Sequence, residues 1–315
     1  MALASGAPIY TPPKTVAELE RRNALFPICY SSPGDAVLVR FDDIADDILP
    51  AGIRIIRPDD LSGCDEEIRP WGWNIALRNE LLRYGYSADK MPLVEALEAW
   101  RELAHRRTAA TLCRLADFSH CAMEFFDAES ALGQLSDWGK GVIKMPWSSS
   151  GRGVMTVTTA DYVKAEARIR QTIARQGSVM LEPLHDKCTD FATEWESDGK
   201  NIRFLGFSAF STDGGVRYIG NLAASRDVVL DRISNGDALV RGSVEKLQHS
   251  LVDVLEEVLI KRCAFPFVGL FGVDGLVTSS GSVVECLEIN LRRTMGHVAL
   301  DVYSATGKET VVRIS

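Results

Sequence analysis

Apolar and polar positions fall into two kinds of block along the chain. VLVRF (37–41) and IRIIR (53–57) are short, β-branched runs bounded by turn formers, and they predict strands of an α/β unit. NIALRNELLRYGY (74–86) repeats Ile75, Leu77, Leu81 and Leu82 at helical spacing and stops near Gly85; a second helical stretch runs from Pro92 to about Leu115 and breaks near His105-Arg106-Arg107. The middle alternates: strand 120–126, helix 128–138, strand 141–146, a polar loop SSSGRG (148–153), strand 154–158, helix 161–177 closed by Gly177, strand 178–184. An antiparallel meander is expected over 191–197, 201–212 and 216–221, with turns at Ser197-Asp198-Gly199 and Asp213-Gly214-Gly215. A helix follows over 243–262, with Ser243 as its cap and Glu245 in its first turn. FVGLFGVDGLV (267–277) and SVVECLEIN (282–290) close the pattern as a hairpin of two long apolar strands.

Composition narrows the class. The chain has 315 residues, 46% hydrophobic and 25% charged, enough for about two domains and a large core. A net charge of −8 argues against a broad nucleic-acid footprint but leaves room for a small basic pocket that takes a polyanion. No apolar run approaches the ~18 residues that span a bilayer, and MALASGAPIYTPPK lacks the features of a signal peptide. Seven cysteines stand at 29, 64, 113, 121, 188, 263 and 286, none at Cys-x-x-Cys spacing, so the expected compartment is the reducing cytoplasm.

The terminal hairpin carries the candidate chemistry. Asp274 lies inside an apolar strand, and Glu288 and Asn290 close the next one two residues apart, hence on one face. A tight turn centred near Ser280 pairs Asp274 with Cys286 and puts Glu288 at the diagonal position. Two acids in apolar strands require a partner, either a divalent cation with Asn290 as neutral oxygen donor or an ion pair to Arg292 or Arg293. Lys144, in GVIKMP, puts a cation in a buried strand, and the Gly/Ser loop after it can lay backbone N–H groups over phosphates, though its spacing is not that of a Walker A loop. VMLEPL (179–184), followed by Asp190, runs from an apolar strand into a Pro-stiffened connector that can offer backbone groups to a flat ligand. Each signal alone also fits a plain turn or strand end. Tyr218, Asn221, Trp71 and Trp73 read as sheet or packing residues, Arg106 and Arg107 as solvated helix charges, and His105, His120, His185 and His249 as ordinary, whereas Arg293 and His297 lie just past the Glu-x-Asn strand, within reach of a substrate.

Together, "VIKMPWSSSGRGV", "VMLEPL", "GVDGLV" and "LEINLRRTMG" stand in an order that resembles the ATP-grasp superfamily over roughly residues 105–300. The resemblance implies an α/β (α+β) ATP-grasp fold: a pre-ATP-grasp domain over 1–104, a central subdomain over 105–181 and a C-terminal subdomain over 182–315, the last two clasping the nucleotide. It implies ATP and Mg²⁺, or Mn²⁺ in its place. Lys144 would meet the phosphates beneath a loop of Ser148, Ser149, Ser150, Gly151 and Gly153. Glu182 and Leu184 would form the adenine hinge, Asp190 would hold the ribose, and Asp274, Glu288 and Asn290 would hold the metal. Arg292 would stand by the reacting carboxylate, and Arg107, before Thr108, would replace a second phosphate-binding lysine. The implied activity is a ligase joining a small carboxylate to an amine or thiol through an acyl phosphate; the alternatives are a phosphotransferase and a non-catalytic ATP-binding module. No nucleic acid or membrane is expected as a partner, a homo-oligomer is left open, and the short stretch after Asn290 leaves part of a substrate wall to be supplied from elsewhere.

Overall fold

The computed structural model describes residues 6–43, 50, 52–119, 122–148, 153–158, 161–213 and 218–314. Their elements, in order, are α1 (Lys14–Arg22), β1 (Ala36–Leu38), β2 (Arg54–Ile56), α2 (Ile75–Arg83), α3 (Val94–Leu103), α4 (Arg107–Leu115), β3 (Met123–Phe125), α5 (Ala128–Trp138), β4 (Lys140–Lys144), β5 (Val154–Thr158), α6 (Tyr162–Gln176), β6 (Val179–Pro183), β7 (Lys187–Asp198), β8 (Ile202–Thr212), β9 (Tyr218–Ala223), α7 (Arg226–Ser234), α8 (Ala238–Ser250), α9 (Val252–Glu256), β10 (Val268–Thr278), β11 (Val283–Asn290), α10 (Met295–Thr306) and β12 (Thr310–Val312). They build three sheets: a parallel pair β1-β2, a four-stranded sheet β3-β6-β4-β5 and a six-stranded sheet β11-β10-β7-β8-β9-β12.

Alternation along the strands decides which face is core. In the four-stranded sheet Ile143, Val157, Val179 and Leu181 point to one side, where α5 and α6 cover them with Ala131, Leu135, Ala165 and Ile169. Asp127 caps α5 by accepting the Ser130 N–H, and Gly177 closes α6 in the left-handed region, as the sequence indicates. In the six-stranded sheet Phe191, Trp195, Phe271, Val273 and Ile289 point into the largest core, which also holds Leu97 and Trp100 of α3 and Leu112 and Cys113 of α4. Both helices therefore bury their apolar stripes against the C-terminal sheet, so the chain break expected at 104 does not coincide with a change of core. The expected boundary at 181 likewise falls inside β6.

Three local expectations change. The helix expected over 243–262 begins earlier: Asp237 caps α8 through the N–H groups of Leu239 and Val240, while Ser243 lies inside it and donates to the Leu239 carbonyl. A π-helical turn over Glu257–Lys261 follows α9. The residues after Asn290 form α10 and an edge strand, β12, paired to β9. The terminal hairpin also departs from a uniform register. Leu276 faces Val284 as a turn near Ser280 requires, but the ladder is irregular between Asp274 and Leu276, so Asp274 faces Glu288 rather than Cys286, and Gly272 faces Asn290. Three residues of β11 there oppose one of β10, and the extra backbone is taken up as a bulge.

The polar face of β7 and β10 is partly covered by α10, and one buried carboxylate ties them together. Glu194 accepts from the hydroxyls of Ser208 (2.8 Å) and Thr294 (2.8 Å), and His297 Nδ1 lies 3.0 Å from it. Thr294 caps α10 through the N–H groups of Gly296 and His297. Burial opposes the Glu194 charge, but His297 and the hydroxyls outweigh it and hold the carboxyl below its ordinary range. Space for the carboxylate depends on two glycines. A Cβ at Gly272 would stand 2.8 Å from Glu194 Oε2, and one at Gly296 only 1.8 Å from Oε1. Alanine ordinarily favours a helix over glycine by roughly 0.5–1 kcal/mol, and Gly133→Ala in α5, with nothing near its added methyl, is expected to gain about that much in urea unfolding. Gly296→Ala is expected to lose about 2 kcal/mol instead, because overpacking at the carboxylate outweighs helix propensity.

Candidate functional site

Two walls of polar side chains face one another across the N-terminal end of α4. The first is the open face of the four-stranded sheet. Lys144 ends β4 opposite Met180, so Lys144, Met180 and Glu182 share the face away from α5 and α6. Lys144 is buried, and its Nζ lies 2.5 Å from Glu182 Oε2. The other oxygen, Glu182 Oε1, is buried without a hydrogen-bond partner. An orphaned acceptor beside an ammonium is costly in a packed interior unless a ligand donor completes it. Leu184 follows, half-buried, where the chain leaves β6. Beyond Lys144 the backbone turns at Met145, whose N–H donates to the Gly153 carbonyl. Gly153 has φ +89° and no room for a Cβ against Met145, so the residue type is required there. Trp147 is pinned by reciprocal backbone–amide bonds to Gln176 and by its indole N–H to the Arg101 carbonyl. Ser148 is described with this anchor; Ser149, Ser150 and Gly151 lie outside the described residues.

The second wall is the polar face of β7, β10 and β11. Asp274 and Glu288 stand directly opposite one another, and Asn290, two pairs further along, donates from Nδ2 to Asp274 Oδ2 at 2.9 Å. Arg292 reaches back to Asn290 Oδ1 at 3.0 Å. Asp190, facing Leu276 across β7 and β10, shares this face and binds Lys187 Nζ at 2.7 Å. Desolvation, then the charges of Glu288 and Glu194, push the Asp274 carboxyl up to about 7, against the lowering pull of Arg292 and the Asn290 amide. The hairpin bulge therefore makes the carboxylates closer neighbours than a regular register would. Among the described residues no three His, Cys, Asp or Glu side chains already form a metal cage. The oxygen donors of Asp274, Glu288 and Asn290 do suit a hard cation of the kind that takes one or two carboxylates and draws further ligands from phosphates.

Arg106 joins the walls. Its backbone N–H donates to the Pro146 carbonyl, and its guanidinium Nη1 donates to the Met145 carbonyl and Ser148 Oγ, both at 2.7 Å. Nη2 crosses to Glu288 Oε2 at 2.7 Å. The side chain is 5% exposed. Arg107, half-exposed, binds Glu124 Oε1 at 2.8 Å. Arg106 is a buried bridge between the walls and not the solvated helix charge that the sequence suggests. The sequence held a signal for it, since a basic cluster at a helix break is placed by a rigid turn rather than by a helix face. Glu194 was missed too, although alternation in FATEWES puts it on the Asp190 face and opposite Trp195.

The two walls lie within electrostatic range. Contact with Cys113 and burial raise the Cys286 thiol, and the charges of Asp274 and Glu182 push it the same way. The N-terminal segment closes one end: Arg293 N–H donates to the Trp71 carbonyl at 2.7 Å, the Arg293 guanidinium stacks on Tyr30, and Gly72 approaches Arg292 so closely that a Cβ would lie 2.8 Å from the arginine Cβ. Tyr218 and Asn221 bond one another on β9, Tyr218 Oη donating to Asn221 Oδ1.

No protein-family model and no curated protein matches the sequence. Solved structures do match. D-cycloserine synthetase DcsG gives a TM-score of 0.50 over 81% of this chain and 88% of that chain, at 14% identity. D-alanyl-alanine synthetase A from Vibrio cholerae gives 0.46 at 13% identity over 68% and 61%, and the ADP complex of the N5-carboxyaminoimidazole ribonucleotide synthetase purK gives 0.49 at 14% over 82% and 63%. The chain spans about 60% of the length of the V. cholerae synthetase and of a Staphylococcus aureus N5-carboxyaminoimidazole synthetase (61% and 59%). At these identities the likeness is one of fold alone. No helix among the described residues is long and apolar enough to cross a membrane.

His105 gives a measurable consequence of how this site is packed. Its Nδ1 accepts the Arg107 N–H, and burial, then the Arg107 charge, lower its pKa to about 4, with Glu124 pulling the other way. The unfolded chain, with an ordinary histidine near 6.5, binds the proton first. Stability from the neutral ring is therefore full above pH 6.5 and is lost as pH falls from there toward 4. Urea melts at pH 7 and pH 5 are expected to differ less for His105→Asn, whose Oδ1 can still accept the Arg107 N–H, than for the native chain.

Proposed function

We propose that this chain is an ATP- and Mg²⁺-dependent ligase that joins a carboxylate to an amine, or to a thiol, through an acyl phosphate. The observation that carries the reading is the facing of the two walls: a strand lysine beside an unsatisfied, buried glutamate oxygen on one, and two opposed carboxylates with an asparagine on the other. In this reading the three parts 1–104, 105–181 and 182–315 act as substrate wall, nucleotide clasp and metal platform.

The residues present fit the nucleotide. Glu182 Oε1 can accept from an exocyclic amine of a base, Leu184 and Met180 offer apolar surface to its ring, and Asp190 can accept from ribose hydroxyls. Lys144 meets the phosphates as a point charge. Asp274, Glu288 and Asn290 would hold Mg²⁺, or Mn²⁺, whose contribution is to offset charge on the phosphate oxygens during transfer. The substrate carboxylate attacks the γ-phosphate, ADP leaves, and the amine displaces phosphate from the acyl phosphate. Arg292, held by Asn290, stands where it can steady the carboxylate before attack.

The test is a screen of small acids with amines and thiols for ADP release, with mass spectrometry of the product. An amide or thioester is expected; a stable phosphorylated product would make the chain a phosphotransferase, and nucleotide binding without turnover would leave a binding module. Lys144→Ala is expected to weaken ATP binding by about tenfold or more in calorimetry, the loss of one charge-assisted contact. Glu288→Gln is expected to abolish ADP release with the circular dichroism spectrum unchanged. Undiminished ADP release by Glu288→Gln would refute the metal assignment.

A further inference from the structure

The arginine between the two walls has an arrangement that a purely structural ion pair does not need. The Arg106 backbone N–H and Nη1 fasten it to Pro146, Met145 and Ser148, on the lysine side of the cleft. Nη2 alone crosses to Glu288 Oε2. Nε is buried and has no hydrogen-bond partner among the described residues. One half of the guanidinium is thus fixed, and the other half holds a single oxygen of a carboxylate that is itself 27% exposed on its side chain. Asp274, directly opposite Glu288, makes no bond to Arg106 and is instead held by Asn290. The two carboxylates are therefore unequally committed: one to a neutral amide, the other to a cation.

A cation on Glu288 competes with any other cation for that carboxylate. We propose that Arg106 makes metal uptake conditional on the nucleotide. Without nucleotide, Nη2 neutralises Glu288 and disfavours a divalent ion there. A polyphosphate entering beside Lys144 offers oxygens to Nη2 and to the unpartnered Nε, so Arg106 turns from Glu288 to phosphate. Glu288 is then free to join Asp274 and Asn290 around the metal. Nη1 does not need to move, because Met145 and Ser148 keep the guanidinium in place while its other edge exchanges partners. The exchange replaces one anionic acceptor by another, so no buried charge is left unpaired at any stage. Nucleotide and metal would then bind synergistically, each raising the affinity of the other by the same factor.

This inference rests on the nucleotide and metal reading above, and Mn²⁺ binding to the whole chain, followed by electron paramagnetic resonance, separates the two. The native chain is expected to take up Mn²⁺ weakly alone and more tightly with a non-hydrolysable ATP analogue. Uptake in neither condition would overturn the metal reading and this inference with it. Arg106→Gln, which removes the charge, is expected to bind Mn²⁺ about tenfold more tightly without nucleotide. It is also expected to lose most of the enhancement by the analogue, and the added binding should disappear in Arg106→Gln combined with Glu288→Gln. Native uptake that does depend on the analogue, with an Arg106→Gln affinity no tighter than native, would overturn the exchange alone.

Should Arg106→Gln fail to fold, the other partner supplies the test. In metal-free buffer, Glu288→Gln releases Arg106 and is expected to raise affinity for the ATP analogue by more than Asp274→Asn does. Both variants remove one acidic charge from the same wall, but only Glu288 holds the arginine. Equal gains from the two would show a general charge effect and overturn the exchange.

Discussion

Two carboxylates set directly opposite one another in an otherwise apolar hairpin constrain everything built around them. Asp274 and Glu288 cannot both stay ionised in such a place without positive charge nearby; burial first, and the Glu288 charge second, push the Asp274 carboxyl up. The surrounding structure supplies two cations from opposite directions. Arg292 approaches through Asn290 at the end of the strand, and Arg106 crosses from the start of α4. Neither arrives by flexible reach: Gly72 packs on the Cβ of Arg292, and three other hydrogen bonds hold Arg106 to the 145–148 turn.

The supports behind this arrangement are polar and dry. Glu194 lies on the same face as Asp274, adds to its repulsion, and spends its own charge on fixing the start of α10 through Thr294 and His297. That contact determines where the chain goes after Asn290, and so where Arg292 and Arg293 can point. Glycines at 272 and 296 are required because the carboxylate occupies the volume a side chain would need. On the other wall, Gln176 and Trp147 fix the entry to the Gly/Ser loop in a comparable way, with neutral amides in place of charge.

Much of the fold was legible in the pattern. Helices α5 and α6 and strands β5, β6, β10 and β11 follow from periodicity and a glycine stop, which are local properties. The helix beginning at Ala238 starts earlier than the pattern suggests because a serine inside it resembles a cap, whereas the true cap, Asp237, lies six residues before that serine. Helix α10 was missed because its first turn is buried, and its polar cap reads as a loop until Glu194 is set against it.

The sequence by itself determined the residue types and their faces: an acid in one apolar strand, Glu and Asn two apart in the next, a lysine at the end of a buried strand. Those follow from strand alternation, which needs no knowledge of neighbours. Tertiary structure alone decided which groups meet. The bulge that moves Glu288 directly opposite Asp274, and the turn that sends Arg106 rather than Arg107 across to it, both depend on backbone positions fixed by long-range packing. Periodicity says which side of an element a residue occupies. It does not say what a second element, more than a hundred residues away in the chain, will bring to that side.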